Sequence, residues 1–256
     1  MGLDVRQIEK NFNAALGFVP RKDIRAYSGD FEYEPRPDEI EFIRKFKFGY
    51  DTTNITDLNN KLETAQHEVR PLGILFESQD ELYFDINWAF DAPDEDFDIS
   101  DSVIIPPGDY WWHYYSVELE SSTARPIDLE FKYRFGEFYE GDRAEYRTMV
   151  NFRMIRYLLV GLGYTFGEFS LPGGDFETRL ASVRAQVNFS PDMTWFNLLQ
   201  YDSVSDSIGF NSRIQWEARP GTNVFLVLNQ SIDRNHGRLS FIESELTFKL
   251  GVTFRF

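Results

Sequence analysis

The sequence predicts an all-β protein, an antiparallel up-and-down transmembrane β-barrel, and three observations carry that prediction. Apolar and polar residues alternate with a period of two along most of the 256 residues, and no long segment repeats apolar residues at helical spacing. The alternating segments run to about 10 to 14 residues, whereas globular strands average about 5 to 6 and a tilted strand crossing a bilayer needs about 9 to 11. The connections between them alternate between short and long, as when one rim of a meander turns tightly and the other is elaborated.

Taken in chain order, residues 1–25 form a partial strand (2–11) and a loop, followed by strands near 26–34, 40–51 and 62–77. In 80–91, Leu82, Phe84, Ile86, Trp88 and Phe90 alternate with Glu81, Tyr83, Asp85, Asn87 and Asp91. Strands are next expected at 110–120, 127–135, 143–154 and 157–167. In 179–189, Ala181, Val183, Ala185, Val187 and Phe189 oppose Arg184, Gln186 and Asn188, with Arg179 assigned to the polar set. Further strands fall at 193–203, 207–219 and 222–232, and the chain closes on "ELTFKLGVTFRF", 245–256. The count is about 12–14 strands in a single barrel domain spanning the chain, and bacterial single-chain barrels use even numbers. "RPDE", "SPDM" and "RPGT" read as the tight, periplasmic turns. "TNITDLNNK", "APDEDFDISDSVIIPPGD", "FYEGDR", "EFSLPGGD", "SVSDS" and "DRNHGRLSF" read as the longer opposite loops.

Composition narrows the function. Forty-two acidic against 26 basic residues give a net charge of −16, the wrong sign for a protein that neutralises nucleic-acid phosphates. There is no cysteine, which removes disulfides and thiolate metal sites. No apolar run reaches the length of a membrane-spanning helix, yet aromatic residues make up 17% of the chain and need a surface to occupy. A membrane barrel supplies one, whereas a soluble β-sandwich is the rival that would hide them in a core. The start, "MGLDVRQIEKNF", has neither the cationic nor the apolar region of a signal peptide.

Three groups of residues are candidates for function. Arg143, Arg147, Arg153, Arg184, Arg213 and Glu217 fall on the polar parity and are expected to face a lumen, with Arg219, Glu130, Glu145, Glu243 and Glu245. They either pair across strands and fill the interior or line an aqueous path and tune its selectivity. Asp94, Asp96 and Asp98, near Asp91, Glu95 and Asp101, form a weak calcium candidate, since hard cations take several oxygens. The loop lacks EF-hand spacing, and a charged loop is ordinarily just solvated. His67, His113 and His236 lie far apart and lack ligand spacing, and His113 within "DYWWHYY" suits an interfacial aromatic girdle. No nucleophile elbow, phosphate loop or zinc-protease motif occurs, so the expectation is a non-enzyme without cofactors.

The third group is the terminus. Lys249, Gly251, Phe254 and Phe256 are similar to the terminal assembly signal of outer-membrane proteins, which the barrel assembly machinery reads through edge pairing. Closure is compulsory in hydrocarbon, because an unpaired strand edge leaves each backbone group unsatisfied.

Four phrases carry a family resemblance: "NFNAALGFVPRKDIRAYSG" (11–29), "IPPGDYWWHYYSVELESS" (105–122), "FGEFYEGDR" (135–143), and the run from "LPGGDFETRL" to "FLVLNQ" (171–230). They resemble a family of bacterial outer-membrane barrels of unknown function, whose full-length members carry an N-terminal domain similar to family-9 carbohydrate-binding modules. The resemblance implies that this chain is the C-terminal portion of a longer barrel protein, with a carbohydrate-related ligand for the whole. It brings no catalytic motif. The expectation is therefore a channel or membrane anchor of the bacterial outer membrane, in contact with the lipid bilayer and lipopolysaccharide. A barrel enzyme with a site on the loop rim is the alternative.

Overall fold

The computed structural model describes residues 1–14, 19, 21–100, 103–235 and 238–253. Among them are sixteen strands and no α-helix. In chain order they are β1 (Gly2–Ile8), β2 (Ile24–Tyr33), β3 (Ile43–Asp57), β4 (Leu62–Phe76), β5 (Glu81–Asp91), β6 (Phe97–Ser100), β7 (Val103–Ile105) and β8 (Tyr110–Glu120). They continue as β9 (Ile127–Phe138), β10 (Gly141–Ile155), β11 (Leu158–Leu171), β12 (Gly174–Ser190), β13 (Met193–Asp202), β14 (Ser207–Arg219), β15 (Thr222–Asn235) and β16 (Arg238–Val252). Fourteen of them form one sheet in sequence order, β1 to β5 followed by β8 to β16, while β6 and β7 pair as a separate hairpin. Every sequential neighbour in the large sheet is thus also a spatial neighbour, the simplest up-and-down arrangement.

The chain divides into two compact units, residues 1–119 with 132–145 and 168–176, and residues 120–131 with 146–167 and 177–256. In the first, the antiparallel register sets Thr53 opposite Gln66 and Asp51 opposite Glu68, and then Glu68 opposite Asn87. Polar residues therefore share one face, while Tyr50, His67 and Trp88 share the other. The separation of the two faces survives an irregularity in β4, where the pairing shifts between Val69 and Leu72 around Pro71. Proline has no N–H to donate, so a bulge is where a sheet can hold it. In the second unit, Ser182, Gln200 and Gly209 align across β12, β13 and β14, and Asn211, Asn229 and Glu245 align across β14, β15 and β16. Val183, Leu199, Phe210, Leu228 and Leu246 occupy the opposite face.

Several expected loops are strand instead. "TNITD" completes β3, β11 and β12 run to Leu171 and from Gly174, and β15 and β16 run to Asn235 and from Arg238. The alternation of long and short connections is correspondingly weaker than the sequence suggested. A continued ladder satisfies backbone donors and acceptors that an open loop would leave to water, so polar composition alone did not stop these strands. The long connection 92–109 keeps its length but contains the β6–β7 hairpin, with Phe97 opposite Ile105 and Asp98 opposite Ile104. At Pro220–Gly221 the expected tight turn is present. Gly221 has φ +82, as the third position of a type II turn requires, and proline before it presets the second.

A small apolar core lies in the first unit. Val103, Ile105, Tyr110 and Leu171 are buried together, with Ile99, Trp112, Phe138, Tyr139 and Phe176 packed against them. The hairpin thus folds onto the end of the sheet and buries its own alternating Val103 and Ile105, while Ile104 between them is exposed.

Candidate functional site

Polar side chains on the sheet's polar face meet across neighbouring strands as a series of ion-pair rungs. In the first unit Arg70 Nε on β4 donates to Asp85 Oδ1 on β5 at 2.7 Å, and Asp85 also accepts from Ser116 Oγ on β8 at 3.3 Å. Asp85 is wholly buried. Lys47 donates to Tyr83 Oη at 2.7 Å and pairs with Glu81. Lys45 pairs with Glu34 at 2.6 Å, Lys132 with Glu118 at 2.7 Å and Arg134 with Glu145 at 2.8 Å. The Arg70 guanidinium also lies over the Tyr83 ring, 4.3 Å from its centroid. Burying a carboxylate is costly, and these close, hydrogen-bonded partners offset that cost.

The second unit has a sparser set. Arg147 Nε lies 3.7 Å from Glu130, and Arg153 pairs with Asp128, which accepts a further bond from Asn151 Nδ2 at 2.8 Å. Arg184 donates to Asn151 Oδ1 at 3.0 Å. Arg213 stands 5.6 Å from the Phe196 ring centroid. Glu217 is engaged at the turn, where its Oε1 accepts from the Gly221 N–H at 3.1 Å.

Arg143, on β10 in the first unit, is held differently. Its guanidinium lies 3.9 Å from the Tyr114 ring centroid and 5.3 Å from that of Phe138. Gly136, with φ +127, stands on the intervening strand β9, and a Cβ there would lie 2.9 Å from Tyr114 Cα. Without a side chain at that position the arginine reaches across to the tyrosine. Trp112 stacks on Tyr139 at 4.6 Å, and beside them the hairpin and the ends of the sheet enclose a cavity of about 260 Å³, lined by Ile105, Tyr110, Tyr139 and Leu171. Tyr139, in the turn after β9, donates to Asp91 Oδ2 at 2.8 Å. Burial, aided by that carboxylate, raises its phenol pKa far above the usual value.

Of the residues singled out in the sequence, Arg143, Arg147, Arg153, Arg184, Arg213 and Glu217 sit on the polar parity but in distinct settings, and they form no single cluster. Arg179 does not belong with them: its guanidinium lies over the Phe166 ring at 5.6 Å, and its parity is that of Ala181 and Val183. Asp94, Asp96 and Asp98 are exposed, Asp98 being held on β6 opposite Ile104, and no group of three or more metal-ligating side chains occurs among the described residues. Lys249 pairs with Phe225 and Gly251 with Asn223, while Phe254 and Phe256, like Asp101 and His236, lie outside the described residues. His67 Nδ1 is shared by Tyr50 Oη at 3.0 Å and Thr52 Oγ1 at 2.9 Å, and His113 pairs with Glu137 at 2.6 Å. Asp85, Arg70 and the hairpin were not anticipated as parts of a site. The alternation around Asp85 was legible, but nothing in a strand of alternating polar residues distinguishes the buried rung from its exposed neighbours.

An antiparallel meander of long strands with one polar and one apolar face has the fold of an outer-membrane β-barrel. Against solved structures, the chain is similar to the ferric-catecholate import receptor Fiu from E. coli K12 in its open form, with a TM-score of 0.58 and 9% identity over 91% of this chain. The chain spans 45% of that receptor's length, and at this identity the likeness is one of fold. Neither the known protein families nor the curated proteins yield a match.

Proposed function

We propose that the chain is part of the wall of a bacterial outer-membrane β-barrel and acts without catalysis, as a channel or as a membrane anchor. The observation that carries this reading is the separation of its two faces. Leu199, Trp216, Leu246 and Phe248 are exposed on one side, at 68% for Leu246, while arginines, carboxylates and amides share the other. A large exposed apolar surface is a liability in water and an asset in acyl chains. On this reading the apolar face meets lipid and lipopolysaccharide, and the polar face meets water. Lys249 and Gly251 on β16 belong to the strand that the assembly machinery would read by edge pairing. A carbohydrate-related ligand for the full-length protein rests on the family resemblance alone. The negative net charge keeps nucleic acid out of the list of partners.

The test is reconstitution. Protein folded in detergent and inserted into a planar bilayer should give discrete conductance steps if it is a channel, and flat traces from inserted protein would leave the anchor. Monodisperse behaviour without detergent would overturn both.

A further inference from the structure

We propose that Gln200, Asn229, Ser231 and Glu243, grouped around the space that Gly209 leaves open, form a binding subsite for a small neutral polyol on the polar face of the second unit. The proposal rests on the reading that this face meets water. It starts from a glycine with no structural task. Gly209 lies inside β14, paired with Gln200 on one side and Ser231 on the other. Beyond its chain neighbours, a Cβ built there meets no atom within 4 Å. At Gly161 and Gly163 on β11, by contrast, it would lie 2.9 Å from Asn151 Oδ1 and 2.5 Å from Ser182 Oγ. Those glycines make room for neighbouring side chains, and Gly209 makes room for none. Nor does its backbone call for glycine, since positive φ among the described glycines belongs to Gly136, Gly174 and Gly221. A glycine inside a strand weakens it, and it often marks a place where a ligand approaches closely.

The space is a cavity of about 370 Å³ shared by four strands, lined by Leu198 and Gln200 on β13, Asn211 on β14, Asn229 and Ser231 on β15 and Glu243 on β16. The registers explain the grouping. Gln200, Gly209, Ser231 and Glu243 form one row across the strands, and Leu198, Asn211 and Asn229 form the next. None of these residues is buried, so a solute in water can reach them.

Their hydrogen-bonding groups are mixed in kind and largely unspent. Asn211 Nδ2 donates to Asn229 Oδ1 at 2.5 Å, which leaves Asn229 Nδ2 as a donor. Gln200, Ser231 and Glu243 form no side-chain hydrogen bond or ion pair among the described residues. Asp202, at the turn end of the cavity, accepts from the Val204 N–H at 2.8 Å. No Arg, Lys or His among the described residues lines the cavity, so an anion would meet two carboxylates and no cation. An ammonium group only donates, and the amide N–H groups of Gln200 and Asn229 would find no acceptor in it. An alcohol hydroxyl both donates and accepts, and several on one compact frame match amide, hydroxyl and carboxylate together. Leu198, apolar on a polar face, gives the carbon frame a contact.

The experiment titrates myo-inositol, a rigid polyhydroxylated ring, onto the full chain folded in detergent micelles and follows binding by saturation-transfer NMR. Cyclohexylammonium serves as the cationic ring of the same size. Inositol should bind saturably, and cyclohexylammonium should not displace it. Gly209→Leu, which fills the open position, should abolish saturable binding while the far-ultraviolet circular dichroism stays that of the parent. Gln200→Met, which keeps the side-chain length and removes the amide, should weaken binding by about threefold to tenfold, the scale of a neutral hydrogen bond. Gln215→Met, the same change farther along β14 and outside the cavity, should leave it unchanged. Non-saturable binding, displacement by cyclohexylammonium, or an equal loss in Gln215→Met would overturn the subsite. So would full affinity in folded Gly209→Leu, or in Gln200→Met should the leucine variant not fold. Conductance steps with no inositol binding would defeat the subsite alone. Flat traces with saturable inositol binding would defeat the channel and leave the subsite standing.

Discussion

Asp85 and Arg70 meet on adjacent strands at 2.7 Å, and the side chain of Asp85 is entirely removed from solvent. With Ser116 on the third strand they tie β4, β5 and β8 together on the polar face. Removing only the carboxylate takes from a partly buried guanidinium its closest partner, leaving it Glu68 at 3.4 Å and the Tyr83 ring. Asp85→Ala should therefore cost about 3–5 kcal/mol in urea unfolding from micelles, the scale for breaking a buried pair. Arg70→Met combined with Asp85→Leu should recover most of that loss, because it removes both desolvation penalties together. A double variant as unstable as the single one would mean that the rung contributes through its shape, not its charge.

Gly136 is the second point where one residue holds several others. Its φ of +127 is strained for any side chain, and an added Cβ meets Tyr114 Cα at 2.9 Å and the His113 carbonyl oxygen at 3.1 Å. Since both contacts are backbone, the strand itself has to move. Gly136→Ala should destabilise by about 1–3 kcal/mol, the range for a side chain forced into a disfavoured backbone region. It should also move the Arg143 guanidinium off the Tyr114 ring, which near-ultraviolet circular dichroism would report. An unchanged tyrosine signal would show that β9 adapts without disturbing its neighbour.

At the β3–β4 turn, Asp57 accepts from the Lys61 N–H at 2.8 Å and the Asn59 N–H at 2.8 Å. The Lys61 backbone bond is the main reason its carboxyl pKa lies below the usual aspartate value, with Asn59 adding to it. The depressed value means the turn gains its stabilisation above the unfolded-state pKa and loses it as pH falls through the lower, folded one. Carbon-13 NMR of Asp57 should give a midpoint below that of free aspartate, so the contribution of its carboxylate to the turn should be constant between about pH 5 and 8. A midpoint at or above the free value would refute the capping role.

The period of two made the strands legible because one face is polar and the other apolar, and β5 shows it residue by residue. Leu82 to Phe90 alternate with Glu81 to Asp91, and the structure turns each set to its own face. Where the chain bulges, the same rule hides the strand: at Pro71 the parity of β4 switches, so Val69 and Leu72 share a face although they are three residues apart. The β6–β7 hairpin was missed because its strands are four and three residues long, too short to show a period. The rungs were legible as charge and not as partners, because pairing depends on register between strands and not on spacing within one. Arg143 was named among the polar-face arginines, but its seat on the Tyr114 ring appears only once Gly136 and Tyr114 are placed beside it.

The two faces also make a direct prediction about tryptophan. Trp88, Trp111, Trp195 and Trp216 are exposed at 38% or more, and the registers that place Trp88, Trp195 and Trp216 put them on the apolar face. Trp112 has the opposite parity on β8, shared with Tyr114 and Ser116, and is packed against Phe138 and Tyr139. In vesicles whose acyl chains carry bromine, an indole facing lipid is quenched by contact, while one on the water-lined side is shielded by the sheet. A variant retaining only Trp216 should lose most of its emission in brominated vesicles, and one retaining only Trp112 should keep most of it. Iodide in the aqueous phase should reverse the ranking wherever Trp112 is reachable. Equal bromine quenching of Trp112 and Trp216 would mean that the polar face does not look away from lipid, and the outer-membrane reading would fall with it.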